Sequence, residues 1–372
     1  MWRYTSERRS GTFGQQLHYS LRRSSWSRVR RTHCDKPFDI VLVTDDINMN
    51  EEWAIKDDQP LMEKLQALGH MVGRKSFMDL EFDWSLTKVV VLKSAEQRFD
   101  SNKEQWLAFL EGLKGKTPII PSHETINWIE NKASYMSDLK DAGINIPEFV
   151  LVKGHKEGEA ASESNVTLRQ IKKEHGWETL VFKPNNSNKG RWCEKVTKGT
   201  FDEKDKQFQR VISLGHDMLV QEFQSSISEH GEVSIVMIGD NVSHAVLKKP
   251  APGGFLVHEH WGGTTKLHVP TQEEIAFARK VVRVAGERFG HFPSFSRVDL
   301  IRDNSNELAL MEFTPVCPMI YIDGNPNVAE ALAAHLHNEL QNVCSCEDLG
   351  RSVLGVPLDQ YSCDRTVETS ML

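Results

Sequence analysis

Apolar positions along the chain follow two periods: short β-branched runs, and stripes spaced three and four residues apart. "FDIVLVTDD" (38–46) is a β-branched run ending in acids and predicts a buried strand. In "QPLMEKLQALGH", Leu61, Leu65 and Leu68 share one helical face and Gly69 is the stop. "KVVVLKS" (88–94) predicts a second buried strand. "NKEQWLAFLEGLKG" predicts a helix with Trp106, Phe109, Leu110 and Leu113 inward, and "TPIIPS" a short closing strand. Strand and helix alternate, so residues 37–121 are expected to form a small parallel α/β domain. It carries no G-x-G-x-x-G, so nothing in it supports nucleotide binding.

From residue 122 the pattern changes. "ETINWIENKASYMSDLKDAGINIPEFVLV" predicts a helix stopped by Gly143 and then a Pro-bounded strand. "KGHKEGEAASESN" (153–165) is too polar for anything but a loop. Next come "TLRQIKKEHG" (helix), "TLVFKPNNSNKGR" (strand into loop), "FQRVISLG" (helix) and "DMLVQEF" (strand). "GEVSIVMIGDNVSHAVLKKP" reads as an antiparallel hairpin with its turn at "GDN". After the glycine-bearing "PGGFLVHEHWGGTT" comes a long helix, "TQEEIAFARKVVRVAGERFG". "FSRVDLIRDNSNELALMEFTP" (295–315) is a second hairpin, and "PNVAEALAAHLHNEL" a last helix before a polar tail, 342–372. The expected fold class is therefore α/β plus α+β, a small parallel α/β N-terminal domain followed by a distinct α+β body.

Composition adds limits. A chain of 372 residues, 39% hydrophobic, can bury a sizeable core. Mean hydropathy is -0.45, and no apolar run reaches the ~18 residues of a membrane helix. The six cysteines have neither zinc-ligand nor disulfide-framework spacing, which points to reduced thiols. The net charge of -7 is unevenly spread, because residues 1–34 hold eight arginines and one acid, Glu7. This Arg- and Ser-rich leader (1–36) has the character of a mitochondrial transit peptide, so a cytoplasmic or mitochondrial protein is expected. No basic patch continues into the acidic body, which argues against a nucleic-acid partner.

The residues able to carry chemistry lie between Lys132 and Thr314. Lys183 ends the strand "LVFK" and enters the loop "PNNSNKGR", whose backbone N–H groups suit phosphate oxygens. Gln221, Glu222 and Phe223, in "VQEF", offer backbone amides beside an apolar wall. Glu232 opens a strand from which it can reach a ribose or face water. Asp299 and Glu312 stand in the two strands of the second hairpin, and pairing around "RDNSNE" would converge them on one face. Hard carboxylate oxygens on facing strands suit Mg²⁺ together with phosphate. Arg297, two residues before Asp299, shares that face by the strand period. The alternative is a buried Arg–Asp ion pair with no metal.

The order of these features resembles the ATP-grasp superfamily over roughly residues 124–341. The likeness is most detailed to bacterial ligase-like members related to O-ureido-serine cyclo-ligase. It is carried by "NWIENKASYMSDLKDAGINIP" and by "LVQEFQSSISEHGEVSIVMIGDNVSHAVLKKPAPGGFLVHEHWGGTT". The resemblance implies a two-lobed ATP-grasp domain over 122–341, with lobes at about 122–218 and 219–341, behind a pre-ATP-grasp domain. It implies ATP and Mg²⁺ as cofactors. Lys132 and Lys183 would touch the phosphates, with Ser187 to Gly190 as the loop above them. Gln221, Glu222 and Phe223 would line adenine, and Glu232 would hold the ribose. Lys248 or Lys249 would approach phosphate or the acceptor, Arg297 would stabilise the intermediate, and Asp299 and Glu312 would hold Mg²⁺. The implied partners are a small carboxylate and an amine, with no nucleic acid and no membrane, and a homodimer is among the expected states.

One departure stands out. Thr314 occupies the place of the family's last metal ligand, normally Asn or Glu, and Cys317 the place of another glutamate in the bacterial relatives. A threonine hydroxyl can coordinate Mg²⁺ but brings no charge. The expected function is an ATP-dependent carboxylate–amine ligase. The alternatives are a catalytically weakened ATP-binding regulator and an ATP-grasp small-molecule kinase. The kinase would need several cations on its acceptor side, where "HEHWGG" offers only His258 and His260.

Overall fold

The computed structural model describes residues 36–99, 102–155, 166–187, 190–323 and 325–347. The basic leader, most of the polar loop at 153–165, residues 188 and 189 of the loop "PNNSNKGR", and the tail after 347 lie outside the described residues.

The first sheet is built from β1 (Phe38–Thr44), α1 (Glu52–Ala67), β2 (Val72–Ser76), β3 (Thr87–Ser94), α2 (Lys103–Leu113) and β4 (Ile119–Ile120). Its strands run parallel in the order β2-β1-β3-β4. β2 has no expected counterpart: "VGRKS" is short and carries two cations, so it does not read as a strand. α1 begins at Glu52, earlier than its leucine stripe indicates, and the stripe ends at Leu65, because Leu68 is the C-cap and is 45% exposed.

The expected helix at "ETINWIENKASYMSDLKDAG" is two, α3 (His123–Ile129) and α4 (Lys132–Asp141). The Asn131 side chain accepts the Ser134 N–H and starts α4 afresh. Lys132 thereby becomes the first residue of a helix. Then follow β5 (Phe149–Val152), α5 (Leu168–His175), β6 (Leu180–Pro184), β7 (Glu194–Val196), α6 (Phe201–Ser213) and β8 (Met218–Glu222). They form an antiparallel sheet, β5-β8-β6-β7, over a core that includes Leu168, Phe182, Phe208 and Val220. β8 is interior, not an edge.

The third sheet, β11-β10-β9-β12-β13, follows α7 (Ser226–Glu229). It comprises β9 (Glu232–Ile238), β10 (Asn241–Lys249), β11 (Thr264–His268), β12 (Phe295–Arg302) and β13 (Leu308–Thr314), with α8 (Gln272–Phe289) between β11 and β12 and α9 (Pro326–Glu347) last. A capping box between Thr271 and Glu274 starts α8. One face of the sheet packs Ile235, Val298, Leu300 and Phe313 against Tyr135, Met136 and Val281. α9 lies against α1, and Leu332 and Leu336 share a core with Ile40, Leu61, Val236 and Phe295. No helix of the described residues is long and apolar enough to cross a membrane.

Candidate active site

Register on β9, β10, β12 and β13 explains why acids stand in apolar strands. Lys248 sits opposite Glu232, Arg297 opposite Thr314, and Asp299 opposite both Ser234 and Glu312. Val298, Leu300 and Phe313 enter the core, and the residues alternating with them face the other way. The ladder shifts register just after Asp299, a bulge that ends the regular pairing beside the charged cluster.

The charges satisfy one another across strands. Arg297 Nε donates to Asp299 Oδ1 at 2.8 Å and Arg297 Nη2 to Oδ2 at 2.9 Å, a bidentate grip. Ser234 Oγ donates to the same carboxylate, and Lys248 Nζ lies 3.5 Å from Oδ1. Burial alone would raise the Asp299 carboxyl, but Arg297 and then Lys248 hold it far below the usual carboxylate range. Lys248 also pairs with Glu232, whose pKa burial pushes up. Glu312 meets Lys132 Nζ at 2.8 Å. Burial opposes its ionisation too, yet Lys132 brings the carboxyl down to about 2.

The second sheet supplies the facing wall. Asn185, just past β6, accepts the Ala133 N–H at 2.8 Å, and its carbonyl accepts the Lys132 N–H at 3.3 Å. Lys132 Nζ donates to the Ser187 carbonyl at 3.0 Å, so α4 and the loop after β6 hold each other. Among the described residues no carboxylate forms an ion pair with Lys183, whose pKa is lowered by burial and then by Lys132. Gly190 has φ +69, and a Cβ there would lie 3.3 Å from both Leu256 and the Trp261 indole nitrogen. Both conditions call for glycine.

Between these walls lies a cavity of about 500 Å³. Every residue singled out in the sequence lines it except Lys249 and Asp299, the latter 2% exposed and paired with Arg297 and Lys248. The choice between the two adjacent lysines is settled by burial: Lys248 faces the cavity, while Lys249 is exposed and donates to the Glu229 carbonyl at 3.2 Å. The hinge differs from expectation. The Phe223 N–H is already given to the Thr179 carbonyl at 2.9 Å, and the Glu222 carbonyl accepts from Gln224 Nε2 at 3.1 Å. What remains at this end is an apolar slot of Val181, Phe223, Phe255, Leu256, Ile301 and Met311, with Lys195 Nζ 3.5 Å over the Phe223 ring.

Several lining residues carried no signal in the sequence. Trp53 comes from α1, Glu96, Arg98 and Phe99 from the loop after β3, and Met319 and Tyr321 from the loop after β13. Cys317 and Tyr321 in that loop have φ +51 and +52, a region bulky residues avoid unless held there. His258 also lines the cavity; burial, Lys248 and Arg297 bring its pKa down to about 4, so the ring is neutral near pH 7.

Among the described residues no group of three or more His, Cys, Asp or Glu gathers as a metal cluster. Glu312 and Thr314 nonetheless bring hard oxygens to the cavity wall, with Asp299 held by Arg297, and Thr314 Oγ1 is buried without a hydrogen-bond partner. Such oxygens fit Mg²⁺, which takes one or two carboxylates and completes its shell with phosphate and water.

A small parallel sheet followed by two antiparallel sheets that enclose a lysine-lined cleft is the architecture of the ATP-grasp fold, and solved structures similar to this chain share it. The crystal structure of the D-cycloserine synthetase DcsG superposes with a TM-score of 0.71 at 20% identity, covering 81% of this chain and 99% of that one. Among curated proteins, the cycloserine biosynthesis protein DcsG of Streptomyces lavendulae is 24% identical over 313 residues, 80% of this chain and 98% of its own. A D-alanine–D-alanine ligase from Bacillus anthracis, complexed with ATP, matches at a TM-score of 0.59 and 13% identity, over 83% of this chain and 99% of its own. No protein-family model matches. The fold expected from the resemblance is the fold observed.

Proposed function

We propose that the protein is an ATP- and Mg²⁺-dependent ligase that activates a small carboxylate as an acyl phosphate for attack by an amine. The observation that carries this reading is a group of cations on the cavity wall, one of them without a carboxylate partner. Lys132, Lys183, Lys248 and Arg297 line the cavity; Lys132 pairs with Glu312, Lys248 with Glu232 and Arg297 with the buried Asp299, and Lys183 has no carboxylate of its own among the described residues. Such a wall attracts a polyanion. The names of the similar proteins, a D-cycloserine synthetase and a D-alanine–D-alanine ligase, support the same class.

In this reading residues 37–121 precede a two-lobed nucleotide site, 122–218 and 219–341. Lys132 and Lys183 hold the triphosphate, beneath the loop from Ser187 to Gly190. Gln221, Glu222 and Phe223 border adenine in the apolar slot, and Glu232 reaches the ribose. Asp299, Glu312 and Thr314 hold Mg²⁺, which when bound neutralises phosphate oxygens. Arg297 and Lys248 stabilise negative charge on the acyl group as it is phosphorylated and then attacked.

The test is ADP release by purified protein with Mg-ATP against pools of acids and amines. Release that needs both substrates is expected, and hydroxylamine in place of the amine should give a hydroxamate. ADP release with a hydroxyl acceptor and no hydroxamate would replace the ligase by a kinase. The neutral Thr314 favours a second reading, a nucleotide-binding regulator, and ATP binding without ADP release from any pool would establish it.

A further inference from the structure

A second cluster of buried charge lies below the cleft, in the first sheet. Asp57 on α1 is 3% exposed and pairs with Lys93 on β3, itself 1% exposed. A buried ion pair is a weak source of stability, since desolvation offsets the attraction. What Asp57 does with its remaining lone pairs is therefore informative. Oδ1 accepts the Ile322 N–H at 3.0 Å and Oδ2 the Ile320 N–H at 3.3 Å. Between those amides stands Tyr321, in the left-handed region and on the cavity wall. Two residues earlier, the Met319 carbonyl accepts from Arg297 Nη1 at 3.4 Å. The Tyr321 phenol also lies close enough to act on the charge of both Lys248 and Arg297.

We propose that Asp57, held by Lys93, is a positioning residue for the cleft. By binding the amides on either side of Tyr321 it fixes the strained turn and sets the phenol hydroxyl beside Arg297 and Lys248, where it hydrogen-bonds an oxygen of the acid being activated. The identity of that acid rests on the ligase reading; the clamp on the loop does not. Left-handed backbone at a bulky residue persists only where its surroundings over-determine it, and two amides on one carboxylate are such a constraint.

The clamp is tested with Asp57→Asn, Tyr321→Phe and the double variant. Hydrogen exchange at the Ile320 and Ile322 amides should rise about tenfold or more in Asp57→Asn and stay unchanged in Tyr321→Phe. In turnover assays kcat/KM for the acid should fall about tenfold in each single variant and no further in the double, with ATP affinity within about twofold of wild type. Unchanged exchange at the two amides overturns the proposal, as do losses that multiply in the double variant. Should Asp57→Asn fail to fold because Lys93 keeps its charge, Asp57→Asn/Lys93→Met carries the same exchange test. A wild-type protein that binds ATP without turnover would sink the ligase reading, and the exchange result would still decide the clamp.

Discussion

Two groups of buried charge sit on two sheets of this molecule and are solved differently. In the first sheet Lys93 and Arg74 face Asp57 and Asp58, one cation for each acid. The same two carboxylates also accept the Ser94 hydroxyl and the amides of Ile320 and Ile322. In the cleft, Lys132, Lys248 and Arg297 pair with Glu312, Glu232 and Asp299, while Lys183, with no carboxylate partner among the described residues, faces a cavity of about 500 Å³. Balanced charge closed on all sides holds a fold together in one register. A buried cation left unpaired beside a cavity marks a candidate site.

The sharpest way to break that comparison is to unbalance the cleft further. Asp299→Asn leaves Arg297 and Lys248 buried without their shared carboxylate. Losing one partner of a buried ionic network costs about 3–5 kcal/mol, read from the denaturation midpoint with an unchanged slope. A loss below about 1 kcal/mol would mean that Arg297 finds solvent, and that Asp299 is not the keystone its burial indicates.

Lys183→Met acts in the opposite sense. It removes a cation that no described carboxylate pairs with, so the melting temperature should hold or rise slightly, while ATP affinity falls about 10–100-fold in titration calorimetry. Destabilisation with ATP affinity retained would make Lys183 a structural residue and would remove the unpaired cation on which the contrast rests.

The contrast also divides what the sequence disclosed from what it hid. The hairpin at 295–315 was legible because strand alternation fixes faces, so the spacing of Arg297, Asp299 and Glu312 determines that they share one. Lys183 was legible because an apolar strand running into a glycine- and asparagine-rich loop is a local pattern. Asp57 and Lys93 were not. They lie on α1 and β3, 36 residues apart, and each reads as an ordinary polar position on its own element. The break before Lys132 was hidden for another reason: Asn131 caps α4 inside a stretch whose apolar period runs on unbroken. β2, β7 and β11 are short and half polar, and only their pairing partners make them strands. Contributions of the loop after β3 to the cavity, such as Arg98 and Phe99, depend on how elements pack, which no local period encodes.

The smallest expected effect tests the finest point of the contrast, at Thr314. Its hydroxyl is buried with no hydrogen-bond partner, opposite Arg297 and two residues from Glu312 on the same strand. Thr314→Asn keeps a neutral ligand but carries its oxygen further out and offers a more polar carbonyl. Mg²⁺ affinity in the presence of ATP should therefore rise about threefold to tenfold, measured by titrating Mg²⁺ against nucleotide binding. The gain is modest because charge in the cleft is unchanged, unlike at Asp299 or Lys183. An affinity that stays flat would place position 314 away from the ion, and Mg²⁺ would then rest on Asp299 and Glu312 alone. Since Asp299 is already gripped by Arg297, Glu312 would become the one carboxylate able to turn toward a metal without dismantling the cluster behind it.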